Sequence, residues 1–400
     1  MLTAEAEDEV SRVAAAVLSL RQLAGQLGDS VPVAPVAEWP APPPERGLTG
    51  LTTVLDRAAE QAGRSSYRVR TDGRAARLGV FERVISEYLR VDDLAGALAD
   101  FAEADRPAID KLIDGVRADD FDSFCRRTTL RGPDGVELTT YAAGDPGDPA
   151  IVLAPACGMP ARLCENWIRH LSRRFHVLTW ETRGLFGAAP GAFDGAVDMA
   201  AQTDDLLTVL EHHEVAGAHV AGLCGGSSIA LAAAHRSPAL IGSLSLWHGG
   251  YDLGDAVART DHHRNLKALT AMVVQGRVSA AAVHASLSEA ALSGVPAGLA
   301  HLVLYPYTTP ELLHLYCRLN GAIMDADVHQ FLSADIPRTL LVTSADDRTA
   351  HPAGSHYVAD RLPAAELLVR PSGDHLSLFR AGPELLEIAA SFARPGGRHV

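Results

Sequence analysis

Six short apolar runs recur through the C-terminal two thirds of the chain: Ile151–Ala154, His176–Trp180, His219–Ala221, Leu244–Trp247, Thr339–Thr343 and Glu366–Val369. Stretches with helical spacing separate them. Continuous apolar runs belong to strands covered on both faces, and such strands alternating with helices specify an α/β fold, a mostly parallel sheet with helices on both faces. Just before the first run, Thr129–Arg131 and Val136–Tyr141 flank Pro133-Asp134-Gly135, a hairpin signal that predicts an antiparallel opening to the same domain. The domain is expected over residues 128–400. Between about Asp252 and Asp335 the strand pattern lapses and helical stripes take over, so a helical cap inserted at 252–335 is expected.

Residues 1–127 read differently. Val10, Val13, Val17, Leu20, Ala24 and Leu27 fall three and four apart, the stripe of an N-terminal helix. At 31–46, Pro32, Pro35, Pro40, Pro42, Pro43 and Pro44 predict an extended polyproline linker. Three more helical stripes follow, through Val80–Leu89, Leu94–Phe101 and Ile109–Val116, completing an N-terminal helical extension. A chain of 400 residues is long enough for two such units.

The net charge of −14 disfavours nucleic acid and anionic membrane surfaces as partners. No apolar run approaches the ~18 residues that cross a bilayer. Met1–Glu9 holds four acidic and no basic residues, the wrong polarity for a secretory leader, so a cytoplasmic location is expected. Cys125, Cys157, Cys164, Cys224 and Cys317 are odd in number and form no C-x-x-C pair, so neither a disulfide framework nor a metal site is expected.

One of these cysteines stands in a special context. Gly222-Leu223-Cys224-Gly225-Gly226 follows an apolar run and precedes the helical stretch Ile229–Ala234. This G-x-C-x-G pattern between strand and helix suits a nucleophile on a tight turn, with small residues two before and two after it so that strand and helix can approach. The helix N-terminus would favour a thiolate. A glycine-rich turn around a buried thiol remains the alternative. A dinucleotide loop does not fit, because the glycines lack the G-x-G-x-x-G spacing.

Here the chain resembles the α/β-hydrolase superfamily over about residues 128–392. Glu181-Thr182-Arg183-Gly184-Leu185-Phe186-Gly187 is similar to that superfamily's D-x-R-G-x-G loop, with Glu for Asp and one extra residue, and Asp204-Asp205 on the helix before the elbow strand also fits. The resemblance implies a nucleophile–acid–base order of Cys224, Asp347 and His375. Asp347 lies in Ser344-Ala345-Asp346-Asp347, and His375 in Ser372-Gly373-Asp374-His375. Asp346, one residue before, and Asp252, one strand earlier as in assembly-line thioesterases, are the alternative acids. The oxyanion hole would use the backbone N–H of Gly225 with that of Ala156 or Cys157, in Pro155-Ala156-Cys157-Gly158 where the superfamily often has His-Gly.

A cysteine nucleophile conserves activation, because its acyl adduct is another thioester. At this finer level the chain resembles the cysteine branch of thioesterase-like enzymes, the aminoacyltransferases that shuttle groups between phosphopantetheine thiols in syringomycin-type nonribosomal assembly lines. That resemblance implies an acyltransferase acting on a phosphopantetheine-linked thioester, with acyl or peptidyl carrier proteins as partners and no cofactor of its own. A homodimer through the N-terminal helices is also open to it. Three alternatives stay in view: a cysteine-dependent thioesterase or cyclase, a polyhydroxyalkanoate-synthase-like acyltransferase, and a non-catalytic binding module of the same fold. The apolar residues Leu302, Val303, Leu304, Tyr305, Tyr307, Leu312, Leu315 and Tyr316 are expected to wall an acyl pocket in the cap. Glu211-His212-His213-Glu214 lacks H-E-x-x-H spacing and reads as solvated charge. Phe121-Asp122-Ser123-Phe124 is not followed by the helix that a carrier-protein serine opens, and His262, His263, Arg264 and Lys267 read as a wet helix face.

Overall fold

A computed structural model describes residues 1–37, 43–63, 66–186, 193–292 and 295–394. Pro40, Pro42 and Gly187 lie outside the described residues. The chain forms two compact units: Met1–Phe124 with His284–Thr309, and Cys125–Val283 with Pro310–Val400.

The first unit contains α1 (Ala4–Ala24), β1 (Ser30–Val33), α2 (Glu45–Ala62), β2 (Ser66–Val69), α3 (Val80–Leu89), α4 (Val91–Ala97), α5 (Arg106–Ala118) and the single turn α6 (Phe121–Phe124). Thr3 caps α1, its hydroxyl accepting from the Ala6 N–H at 3.2 Å. The stripe Val10, Val13, Val17 and Leu20 is buried in this unit's own core, so a dimer through these helices would need another face. The expected linker is not free chain where it begins. Ser30–Val33 pairs in parallel with Ser66–Val69, and Val31 and Val33 are fully buried. Proline's fixed φ is compatible with extended structure, and an isolated two-stranded ribbon tolerates its missing donor at Pro32. The far end of that stretch is also helical: α2 starts at Glu45 behind Pro44 and buries Leu51, Val54, Leu55 and Ala58.

In the second unit an eight-stranded sheet has the order β10-β9-β8-β7-β5-β6-β4-β3. The strands are β3 (Arg126–Arg131), β4 (Glu137–Ala143), β5 (Ala150–Ala154), β6 (His176–Trp180), β7 (Ala218–Leu223), β8 (Ile241–Trp247), β9 (Thr339–Ser344) and β10 (Ala365–Arg370). Pairing is antiparallel for β3–β4 and β4–β6 and parallel elsewhere. Flanking helices are α7 (Glu165–Leu171), α8 (Met199–His212), α9 (Gly226–Arg236) and α10 (Asp261–Val273), then α13 (Pro310–Met324), α14 (Pro352–Ala359), α15 (Ser377–Arg380) and α16 (Pro383–Ala393), whereas α11 (Arg277–Leu292) runs from this unit into the first and α12 (Ala297–Val303) belongs to the first. β5, β7, β8 and β9 are parallel neighbours, so the loops after all four open on one edge of the sheet.

The stretch expected to be a cap divides between the units. Residues 284–309 cluster with the N-terminal residues, where Ala300 and Leu304 join the core and Tyr307 packs on it. Leu302, Val303, Leu304, Tyr305 and Tyr307 therefore belong to the first unit, while Leu312, Leu315 and Tyr316, on α13, belong to the second. Helical spacing identifies an apolar face but not the surface that it covers. Among the described residues no helix is long and apolar enough to cross a membrane.

Candidate active site

Cys224 follows the last residue of β7 and has φ +53°, the left-handed backbone that side chains other than glycine seldom adopt. Its N–H donates to the Trp247 carbonyl at 3.0 Å, and the Ser227 hydroxyl donates to the Gly222 carbonyl at 2.9 Å, so the turn is tied at both ends. The flanking glycines are obligatory. A Cβ at Gly222 would lie 2.5 Å from the Ser227 Cα, and one at Gly226 would lie 2.2 Å from the Ala154 carbonyl oxygen. These contacts let α9 begin directly against the end of β5, beside the Pro155–Gly158 loop. Cys224 is partly exposed, whereas the other four cysteines are buried. Burial pushes Cys164 and Cys317 up to about 12, and burial with the neighbouring Cys224 and Cys317 pushes Cys157 up as well, which leaves those thiols inert.

Asp347, in the loop after β9, is almost fully buried and saturated with hydrogen bonds. Its Oδ1 accepts from the Thr349 N–H (2.8 Å) and the Ala350 N–H (3.0 Å). Its Oδ2 meets His375 Nδ1 at 3.0 Å and His248 Nδ1 at 2.7 Å. Burial alone would raise this carboxyl, but the hydrogen bonds from His248 and His375 hold it below the ordinary carboxylate range. An ionised carboxylate only accepts, so both Nδ1 atoms carry protons and donate. Each ring then turns Nε2 away from Asp347, and both Nε2 atoms are buried with no hydrogen-bond partner among the described residues.

His375 stands in the loop after β10, its ring edge-on to Phe379 at 6.3 Å and to His248 at 5.7 Å between centroids. Burial opposes its charge, but Cys224 and Asp347 outweigh that and push it up to about 10.

The loop after β5 is anchored by the Glu181–Arg183 segment. The Gly158 N–H donates to Thr182 Oγ1 at 3.0 Å and the Ala161 N–H to Glu181 Oε2 at 2.8 Å. Arg183 is buried in a two-pronged contact with Asp205 (2.6 and 2.8 Å) and also reaches Asp134 at 2.6 Å. Gly158 thus spends its N–H on Thr182, while the Ala156, Cys157 and Gly225 N–H groups have no acceptor among the described residues. From α13, Tyr316 packs on Gly158 and Ile323 lies beside Gly225. A cavity of about 270 Å³, lined by Thr270, Val274, Cys317, Gly321 and Met324 among others, separates α10 from α13.

Other sequence candidates fall elsewhere. Asp252 is bound by Arg259 (2.9 Å) and Lys267 (3.0 Å), and Asp346 is exposed, so neither meets His375. Strand-end position located Asp252 only to within a few residues, and the intervening turn carries it to the cations instead. Within the basic cluster, Lys267 also pairs with Asp325, and Arg264 with Asp261. His262 is held below the ordinary histidine range by desolvation and then by the charge of His375. Glu211-His212-His213-Glu214 does not come together as a set of metal ligands; the histidine and carboxylate side chains that cluster among the described residues are His248, Asp347 and His375, and both Nδ1 atoms there are engaged with Asp347. His248 escaped the sequence reading. Its one visible signal is a histidine at a strand end before Gly249-Gly250, and its partner Asp347 lies 99 residues away.

No family model matches the chain. Over 155 residues it is 24% identical to an L-allo-isoleucyltransferase of Pseudomonas savastanoi pv. glycinea, covering 38% of this chain and 54% of that one, about half the relative's length. It is 29% identical over 232 residues to a protein named carbamate hydrolase RutD of Pantoea ananatis (strain LMG 20103), covering 56% and 81% of the two chains. An esterase from Exiguobacterium antarcticum superposes with a TM-score of 0.56 at 16% identity, over 68% of this chain and all of the esterase (100%). Sheet order, strand-end chemistry and this superposition agree: the chain has the α/β-hydrolase fold.

Proposed function

We propose that the protein is an acyltransferase that carries an acyl or aminoacyl group between phosphopantetheine thiols of carrier proteins, as a thioester on Cys224. The observation that carries this reading is a partly exposed thiol on a left-handed turn, set against a buried histidine–aspartate pair. In the first half-reaction the Cys224 thiolate attacks the donor's carbonyl carbon, and the C=O pair moves onto oxygen. The N–H of Gly225, with that of Ala156 or Cys157, receives the oxyanion. Collapse expels the donor thiolate, which takes the proton from His375 Nε2. The acceptor thiol then gives its proton to His375 and reverses the sequence. Exchange between thioesters is nearly thermoneutral, which suits a shuttle rather than a hydrolase. The likeness to an L-allo-isoleucyltransferase supports an aminoacyl cargo.

A second reading, a cysteine-dependent thioesterase or cyclase, draws on the longer alignment with a named hydrolase. Intact-protein mass spectrometry after incubation with acyl- and aminoacyl-loaded carriers separates the two. The shuttle forms an adduct on the wild type and none on Cys224→Ala, and passes it to a second carrier; release to water favours the hydrolase. Turnover of a hydroxyacyl-CoA without any carrier indicates a polyhydroxyalkanoate-synthase-like enzyme, and absence of every adduct a non-catalytic module.

A further inference from the structure

Asp347 is shared. In a nucleophile–base–acid arrangement the carboxylate has one imidazole to orient, but here a second, His248, donates to the same oxygen, and at 2.7 Å its bond is shorter than the 3.0 Å bond of His375. The backbone places His248 at some cost. The residue follows β8, its N–H donates to the Val342 carbonyl at 2.8 Å, and its φ is +49°. Two neighbouring strand ends thus carry side chains on left-handed backbone, Cys224 after β7 and His248 after β8, and such strain persists only where surrounding structure enforces it. His248 has no access to solvent, and its Nε2 is left without a partner, a loss that a merely space-filling residue would not incur.

We propose that His248 is a positioning residue that shares Asp347 with the catalytic imidazole, locking the carboxylate and drawing off part of its charge so that His375 yields its proton readily to a departing thiol. This rests on the reading of Cys224 and His375 as nucleophile and base. With two donors on each oxygen, Asp347 has no lone pair left to swing toward another partner. A carboxylate that already satisfies His248 polarises the His375 Nδ1–H less strongly, so the imidazolium is a better acid toward the departing donor thiol. A shuttle needs that once per cycle, when the donor thiol takes the proton and departs; in the second half-reaction the acceptor's proton returns to His375 and Cys224 departs as the thiolate. The groups facing His375 are Asp347 after β9, His248 after β8, Cys224 after β7 and His262 on α10.

The test is the ring titration of His375 by nitrogen-15 NMR in the full-length protein, which needs no substrate and so stands apart from the acyl-transfer reading. Wild type is compared with His248→Leu, which removes the donor, and His248→Asn, whose amide N–H replaces Nδ1–H. The leucine variant should make His375 about tenfold more basic, the scale of one lost hydrogen bond to a charged group, and the asparagine variant should restore wild-type titration. Equal shifts in both variants, or none in either, overturn the proposal. Should the leucine variant fail to fold, wild type alone decides. His248 must show a protonated Nδ1, and an unprotonated Nδ1 refutes the sharing.

Discussion

Gly226→Ala tests whether the turn around Cys224 is a working elbow or merely a glycine-rich bend. The added Cβ would lie 2.2 Å from the Ala154 carbonyl oxygen and 2.8 Å from that of Pro155, both backbone atoms. A contact tolerated by real side chains needs at least 3.0–3.4 Å, so α9 and the end of β5 must part by about 1 Å. Those two segments carry the Gly225 and Ala156/Cys157 N–H groups proposed to hold the oxyanion, and separating them spoils the cradle without touching Cys224, His375 or Asp347. A misplacement of ~1 Å costs on the order of 100-fold in rate, while overpacking of this kind costs about 1–3 kcal/mol in stability. Acyl-adduct formation should therefore fall about 100-fold by stopped mass-spectrometric time course, in a protein that still melts cooperatively. Alkylation of Cys224 by iodoacetamide, which builds no oxyanion, should fall far less. A folded variant with wild-type acylation would show that the close approach of α9 and β5 has no part in catalysis.

Three further outcomes follow from the same geometry. His375→Ala should abolish measurable transfer and Asp347→Asn should cost about 10⁴-fold, whereas Asp252→Asn, which breaks only contacts to Arg259 and Lys267, should stay within a few-fold; steady-state transfer rates compare all three. Arg183→Met strands the buried Asp205 carboxylate and should destabilise by about 3–5 kcal/mol, read by urea unfolding, and a loss below 1 kcal/mol would contradict the buried pairing. Asp347 has a lower pKa folded than unfolded, so its stabilisation is fully present above about pH 4 and is lost as pH falls further. The Tm gap between wild type and Asp347→Asn should accordingly narrow between about pH 5 and 2, and a gap constant with pH would argue against an ionised Asp347.

Sheet architecture, hairpin and the tight turn at Cys224 were legible because each depends on short-range pattern. An apolar run declares a covered strand, and glycines two residues either side of Cys224 announce a turn that a Cβ would block. Arg183 and Asp205 were each visible, but their pairing was not, since 22 residues separate them along the chain. Local pattern misled where it described composition without context. The proline-rich stretch promised a linker, yet Val31 and Val33 alternate around Pro32 as a buried strand does, and the partner strand that makes this pay begins only at Ser66. Apolar spacing at Leu302–Tyr307 marked a covered face, but the three-dimensional partition assigns those residues to the N-terminal unit rather than to the site. His248 is the clearest case. A histidine beside two glycines carries no message of its own, and its meaning arises when parallel neighbours β8 and β9 bring two loops together and place its Nδ1 on the carboxylate that serves His375. Residue type and spacing marked which groups could carry chemistry; strand order determined which of them meet, because hydrogen bonds depend on distances that sequence separation does not encode.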